Sequence, residues 1–308
     1  MQVKDGGACR VDIRTAFQRA VEINAAEGRK SVMIKDLVVN LPVGSAAEGV
    51  TDFAVSVAAT FDAHLTGVAF VYEPIIPAVD MYGIPPDLIE SQRVENEKTA
   101  QAAMARFEEA ARRAAISAEP RRLDATLGGA ADTFAHVARR FDLSIVGQPE
   151  PGKPGPGDTI VEGALFGSGR PVLVVPYIQR APLTLDRAML CWDGSRSAAR
   201  ATGDSMPLLT RAKTTEIVIV AGEPAKSDEI PGADIAHHLA RHGAKVELKR
   251  IVATEGDIAS TILSHAADVS ADFLVMGGYG HSRLREFILG GVTRGILAAM
   301  TVPTLLSH

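Results

Sequence analysis

The residues best placed to do chemistry lie in the segment Val275-Met-Gly-Gly-Tyr-Gly280-His-Ser-Arg-Leu-Arg-Glu-Phe-Ile-Leu-Gly290-Gly-Val-Thr293. Gly277 and Gly280 close a buried strand-like run, and Gly290 and Gly291 stand just before a helix pattern, Val292–Met300. A glycine has no Cβ to hold a ligand off, so main-chain N–H groups there can point at a phosphate. A helix start adds positive potential to the same place. The chemistry is anion binding. The bland alternative is that these glycines only make tight strand–loop–helix turns. Arg283 is placed to reach a phosphate and His281 to move a proton, against the plainer role of a solvated loop in which Arg283 pairs with Glu286.

Other candidates are weaker. Asp234, His238 and His242 recur at helical spacing, but a metal site needs a further ligand and a solvated helix face explains them equally well. Neither Ser168 nor Ser195 lies in Gly-x-Ser-x-Gly, so a hydrolase triad has no support. Cys191 alternates within an apolar run and reads as a small core residue. Trp192 reads as core packing, with a place at the border of an adenine pocket as the alternative. Gly147, followed after four residues by Gly152-Lys153, approaches the P-loop spacing. Pro154 stands where a magnesium-binding Ser or Thr is required, and Pro149, Pro151, Pro154 and Pro156 delete the N–H donors of a phosphate cradle.

These residues need strands and helices to present them, and the chain supplies the same set twice. In the first half, Ile34–Leu41, Gly67–Tyr72, Asp142–Gly147 and Pro171–Val175 read as strands. Helix patterns cover Ala46–Phe61, Asp87–Ile116 and Ala130–Arg140. In the second half, strands over Leu185–Trp192, Glu216–Val220, Asp272–Gly277 and Pro303–Leu306 alternate with helices over Ser195–Thr210, Ala233–Arg241 and Asp257–Val269. Short apolar strands alternating with helices predict an α/β fold, a doubly wound parallel layer in each half. The long helix carries an apolar stripe through Leu88, Val94, Met104, Phe107 and Ala111, and the Pro-rich stretch Pro74–Pro86 before it reads as a rigid loop. Three segments are expected: a loose N-terminal extension over 1–32, a first domain over 33–180 and a second over 181–308. Met33 is expected to be the native start.

The chain has 308 residues, 46% of them apolar and 22% charged, with a net charge of −5. That balance fits two globular cores and argues against a dedicated nucleic-acid surface. Cys9 and Cys191 form no disulfide framework, and no run is long enough to span a membrane. A cytoplasmic setting is therefore expected.

The glycine spacing Gly277-x2-Gly280-x9-Gly290 resembles the nucleotide motif of the universal stress protein family, departing only where Gly291 replaces a Ser or Thr. The resemblance covers about residues 33–308 as two tandem copies. It implies a five-stranded parallel sheet in each copy, with ATP, accompanied by Mg2+, as the ligand of the second. Asp193 matches the family's Asp at the end of the first strand. Met276, Gly277, Tyr279, Gly280, Gly290, Gly291 and Val292 would form the phosphate loop, and Thr293 would offer a hydroxyl in place of the one lost at Gly291. The first half lacks the motif, and Asn40-Leu41-Pro42 replaces Asp-Gly-Ser, so a structural or pairing role is expected there. The resemblance further implies a regulator of stress adaptation that binds adenine nucleotide, associates with further chains and meets a protein partner still to be identified. A nucleotide-free scaffold and a weak ATP hydrolase are the alternatives.

Overall fold

The computed structural model describes residues 33–42, 47–73, 86–150, 152, 157–221, 232–253, 257–278 and 291–308. The expected N-terminal extension and the Pro-rich loop ahead of residue 86 lie outside them. The first half runs β1 (Asp36–Asn40), α1 (Ala47–Phe61), β2 (His64–Tyr72), α2 (Pro86–Arg113), β3 (Ala118–Ala125), α3 (Ala130–Ala138), β4 (Leu143–Gly147), α4 (Gly157–Gly167) and β5 (Val172–Val175). The second repeats the order as β6 (Arg187–Cys191), α5 (Arg196–Leu209), β7 (Thr214–Ala221), α6 (Ala233–Arg241), β8 (Val246–Val252), α7 (Ile258–Asp268), β9 (Phe273–Gly277), α8 (Gly291–Ala299) and β10 (Thr304–Ser307).

Strand order is β3-β2-β1-β4-β5-β10-β9-β6-β7-β8, all parallel within each half and antiparallel only where β5 meets β10. Each half is thus the expected five-stranded doubly wound layer. The two layers fuse edge to edge into one ten-stranded sheet, with Thr304 opposite Val174 and Leu306 opposite Val172. Central strands such as Leu-Val-Val and Leu-Val-Met are buried on both faces because helices cover both. Helices α1, α2, α5 and α6 pack on one face through Phe53, Phe107, Leu208 and Leu239. Helices α3, α4, α7 and α8 pack on the other through Phe134, Ile160, Ile262 and Ile296. Both apolar clusters run across the junction between the halves.

A repeated device starts each layer. Asp142 Oδ2 accepts the N–H groups of Lys35 and Asp36 at 2.8 and 3.1 Å, and Asp272 Oδ2 accepts those of Asp186 and Arg187 at 2.5 and 2.6 Å. One carboxylate before the fourth strand therefore ties down the first strand of its own half. Two outer strands and one helix are absent from the pattern reading. β3 (AEPRRLDA) and β8 (VELKRIV) sit at the sheet edges and are mostly exposed, so charges replace the apolar runs that mark buried strands. α4 carries Gly157, Gly163 and Gly167, which hide its helical character. The apolar stripe of α2 also needs correction: Phe107 is buried, but Leu88 and Val94 at its N-terminal end face solvent.

Candidate functional site

In open parallel α/β sheets, ligands collect beyond the carboxyl ends of the strands, where neighbouring strands lead their connections to opposite faces. In the second half that point lies between β6 and β9. Leu190 stands beside Val275, so Asp193 and Gly277 leave the sheet side by side. The chain after β6 turns on Gly194, whose φ of +73° favours glycine. Asp193 Oδ1 accepts the Ser195 N–H at 2.9 Å, and Ser195 Oγ accepts the Ala198 N–H at 3.1 Å as the N-cap of α5. The Ser195 and Ser197 hydroxyls lie 3.1 Å apart. Ser195 is thus a capping residue. Ser168 donates to the Ala164 carbonyl, which accounts for the other serine passed over as a nucleophile.

Gly277 is packed against this turn. A Cβ there would lie 2.5 Å from Ala198 N and 2.6 Å from the Ser197 carbonyl carbon and Oγ. The glycine is therefore required by the close approach of β9 to the first turn of α5. Met276 is buried with its side chain among the apolar residues beneath α7 and α8, so only its main chain is available to a ligand. Gly291 opens α8, and among the described residues no atom lies within 4 Å of where its Cβ would be. Val292 is partly buried against the α7–α8 side of the core. Thr293, in the first turn of α8, is buried. Tyr279, Gly280 and Gly290, with His281, Ser282, Arg283 and Glu286, lie outside the described residues. The site residues brought together are therefore Asp193, Met276 and Gly277 at the strand ends, while Gly291 and Val292 form the first turn of α8.

The first half contains a feature that the glycine motif conceals. Gly163 in α4 and Gly295 in α8 are counterparts: a Cβ on the first would lie 2.9 Å from Ala131 Cβ in α3, and one on the second 2.7 Å from Ala259 Cβ in α7. Counting back four residues from each puts Thr159 at the place of Gly291. The hydroxyl missing from the second copy is present in the first, and aligning the two helices by their packing glycines is the signal that finds it. In place of the P-loop approximation, Gly152 has a φ of +76°, and Lys153 and Pro154 lie outside the described residues.

The remaining candidates have structural explanations. Burial pushes the Cys191 thiol up to about 12, with the Asp193 charge adding to the effect, so it is a protonated core residue at neutral pH. Trp192 is half-buried against the α5 side of the core while its neighbour Asp193 sits at the strand end. The His238 and His242 rings lie 4.7 Å apart on α6 and its C-cap, and no cluster of three metal-binding side chains is found among the described residues. A groove of about 450 Å3 runs along α7 between Ile251 and Asp268, and none of the nucleotide-site residues lines it.

Fold and site together define an open, mostly parallel α/β protein in which Asp193 and Gly277 leave the sheet side by side at the strand crossing of the second half. Residues 186–308 match the model of the universal stress protein family. A universal stress protein, Slr1230 of Synechocystis sp., is 26% identical over 146 residues, 44% of this chain and 46% of that protein. The stress response protein NhaX of Bacillus subtilis is 38% identical over 52 residues, 17% of this chain and 31% of that one. The chain spans less than half the length of either relative. Among solved structures, a universal stress protein from Archaeoglobus fulgidus aligns over 89% of this chain and 96% of its own, with a TM-score of 0.65 and 15% identity, a likeness of fold. No helix among the described residues is long and apolar enough to cross a membrane.

Proposed function

We propose that the second half binds ATP or a related adenine nucleotide at the ends of β6 and β9, and that the bound state serves as a regulator in the stress response. The observation that carries this reading is the strand crossing at which Asp193 and Gly277 leave the sheet side by side, in the half where a helix begins at Gly291. Asp193, Met276, Gly277, Tyr279, Gly280, Gly290, Gly291 and Val292 are the residues assigned to the ligand. Asp193 and the strand-end main chain would meet the nucleoside, and the N–H groups of the loop and of the first turn of α8 would meet the phosphates. Mg2+ would accompany the nucleotide as its counter-ion. The chain's own contribution is to bind and orient, and the change passed on is in the surface around the loop.

One observation favours a second reading, a nucleotide-free interaction scaffold of the same fold. The need for glycine at position 277 is fully met by packing against Ser197 and Ala198. The two readings separate when the protein is purified, denatured and its supernatant assayed for adenine nucleotide, alongside calorimetric titration. The nucleotide reading predicts released nucleotide or saturable heat. Neither signal at millimolar ATP leaves the scaffold reading standing. An ATP hydrolase, the least supported alternative, requires phosphate release that persists through purification and is lost in Gly280→Val.

A further inference from the structure

Helix α8 has only nine residues and two glycines, a composition that does not hold a helix by itself. Its last four carbonyls have no partner within the helix. One of them, Leu297 O, accepts a hydrogen bond from Gln148 Nε2 at 2.8 Å, and Gln148 belongs to the first half, directly after β4. The other end of the same carboxamide, Oε1, accepts the Tyr177 N–H at 3.2 Å just beyond β5. The residue is 3% exposed, so the bridge is shielded from competing water.

The arrangement is one-sided. Gly278 holds the place of Gln148 in the second half and faces the side chain of Leu165, the counterpart of Leu297. The matching helix α4 is capped within its own half, by Ser168 Oγ on the Ala164 carbonyl at 2.5 Å and by Arg139 Nε on the Gly167 carbonyl at 3.0 Å. Only α8, the helix whose mouth is assigned to the phosphates, takes such a cap from across the junction among these contacts. Among the described residues, α8 is held by its packing on α7 at Gly295 and by this clamp at its far end.

We propose that Gln148 is a positioning residue for the second-half site: a cap lent by the first half that fixes α8 and couples ligand binding at the start of α8 to the β5–β10 junction. The proposal rests on the nucleotide reading. A helix mouth held in place binds an anion without first being ordered, so loss of the clamp weakens binding although no ligand contact is removed.

The experiment follows hydrogen exchange in the full chain with and without ATP and Mg2+, with Trp192 emission as the binding signal. In the wild type, ATP slows exchange over residues 291–299 and also over 172–180, where the Tyr177 N–H lies. Gln148→Met keeps the length of the side chain and removes both hydrogen bonds. It is expected to bind ATP roughly fivefold more weakly and to lose the protection over 172–180. Gln148→Glu keeps the acceptor for Tyr177 but sets an oxygen against Leu297 O, and weakens binding further. ATP binding that leaves residues 172–180 unchanged in the wild type overturns the coupling and spares the nucleotide reading, whether or not the variants fold. Equal affinity in wild type and Gln148→Met does the same. An absence of any binding signal in the wild type overturns both.

Discussion

Two glycines of the same motif have opposite surroundings, and substitution tells them apart. Gly277→Ala pushes a methyl group against the main chain of α5, which has no flexible side chain to yield. It is expected to lower stability by about 1–3 kcal/mol in urea unfolding. Gly291→Ser meets no atom of the described residues within 4 Å of its Cβ. Stability should change by less than about 0.5 kcal/mol, while the added hydroxyl tightens ATP binding several-fold in calorimetry. Asp36 shows what charge does in the first half. Its Oδ1 is buried with no hydrogen-bond partner among the described residues, and its pKa is raised chiefly by burial, with His64 opposing the effect and Asp142 and Glu119 adding to it. A carboxyl that binds its proton more tightly when folded favours the folded state at low pH, and that contribution is lost as pH rises through the raised pKa. Asp36→Asn should therefore unfold at higher urea than the wild type at pH 7, with the gap closing at pH 3.

The two copies of an element sequence also diverge in the contacts that hold helices to the sheet. In the second half, Glu216 is buried on β7 between His265 of α7, 3.0 Å away, and Arg187 of β6, 3.5 Å away, with Glu247 of β8 3.2 Å from the same guanidinium. Thr66 holds the corresponding place on β2 and reaches Glu119. Glu216→Ala leaves His265 without its carboxylate partner while Arg187 keeps Glu247, and is expected to destabilise by roughly 1–3 kcal/mol, read from the urea midpoint at pH 7. How much of the fold the sequence displays follows from burial in the same way. β1, β4, β6 and β9 are recognised because both of their faces are apolar. β3 and β8 are not, because edge strands trade that pattern for charge, and α4 is hidden by the glycines that let it approach α3. At the site, glycine spacing and the Asp193 turn can be read directly. The clamp at Gln148 cannot, since it joins residues 149 positions apart, and neither can the equivalence of Thr159 and Gly291, which depends on helix packing.

Across the molecule, the junction is more than the three residue pairs of β5 with β10. Arg211 Nη1 donates to the Thr60 carbonyl at 2.7 Å with its guanidinium 4.2 Å from the centre of the Phe61 ring. Ser56 Oγ accepts the Leu183 N–H at 2.8 Å, and Arg200 Nη2 donates to the Gly169 carbonyl at 3.1 Å. With apolar clusters shared on both faces, the halves should unfold together. Calorimetry is expected to show one transition whose van't Hoff and calorimetric enthalpies agree, whereas two resolved transitions would mean that the junction is weak. The same continuity gives the first half a structural part: it completes the ten-stranded sheet and, through Gln148, holds the far end of α8. The most direct measurement is a titration of the whole protein with ATP followed through Trp192, the sole tryptophan, next to Asp193. A saturable change at one nucleotide per chain, lost in Asp193→Ala while the fold is retained, is the predicted result. No saturable change up to millimolar ATP, or a change that survives Asp193→Ala at unaltered affinity, would contradict it.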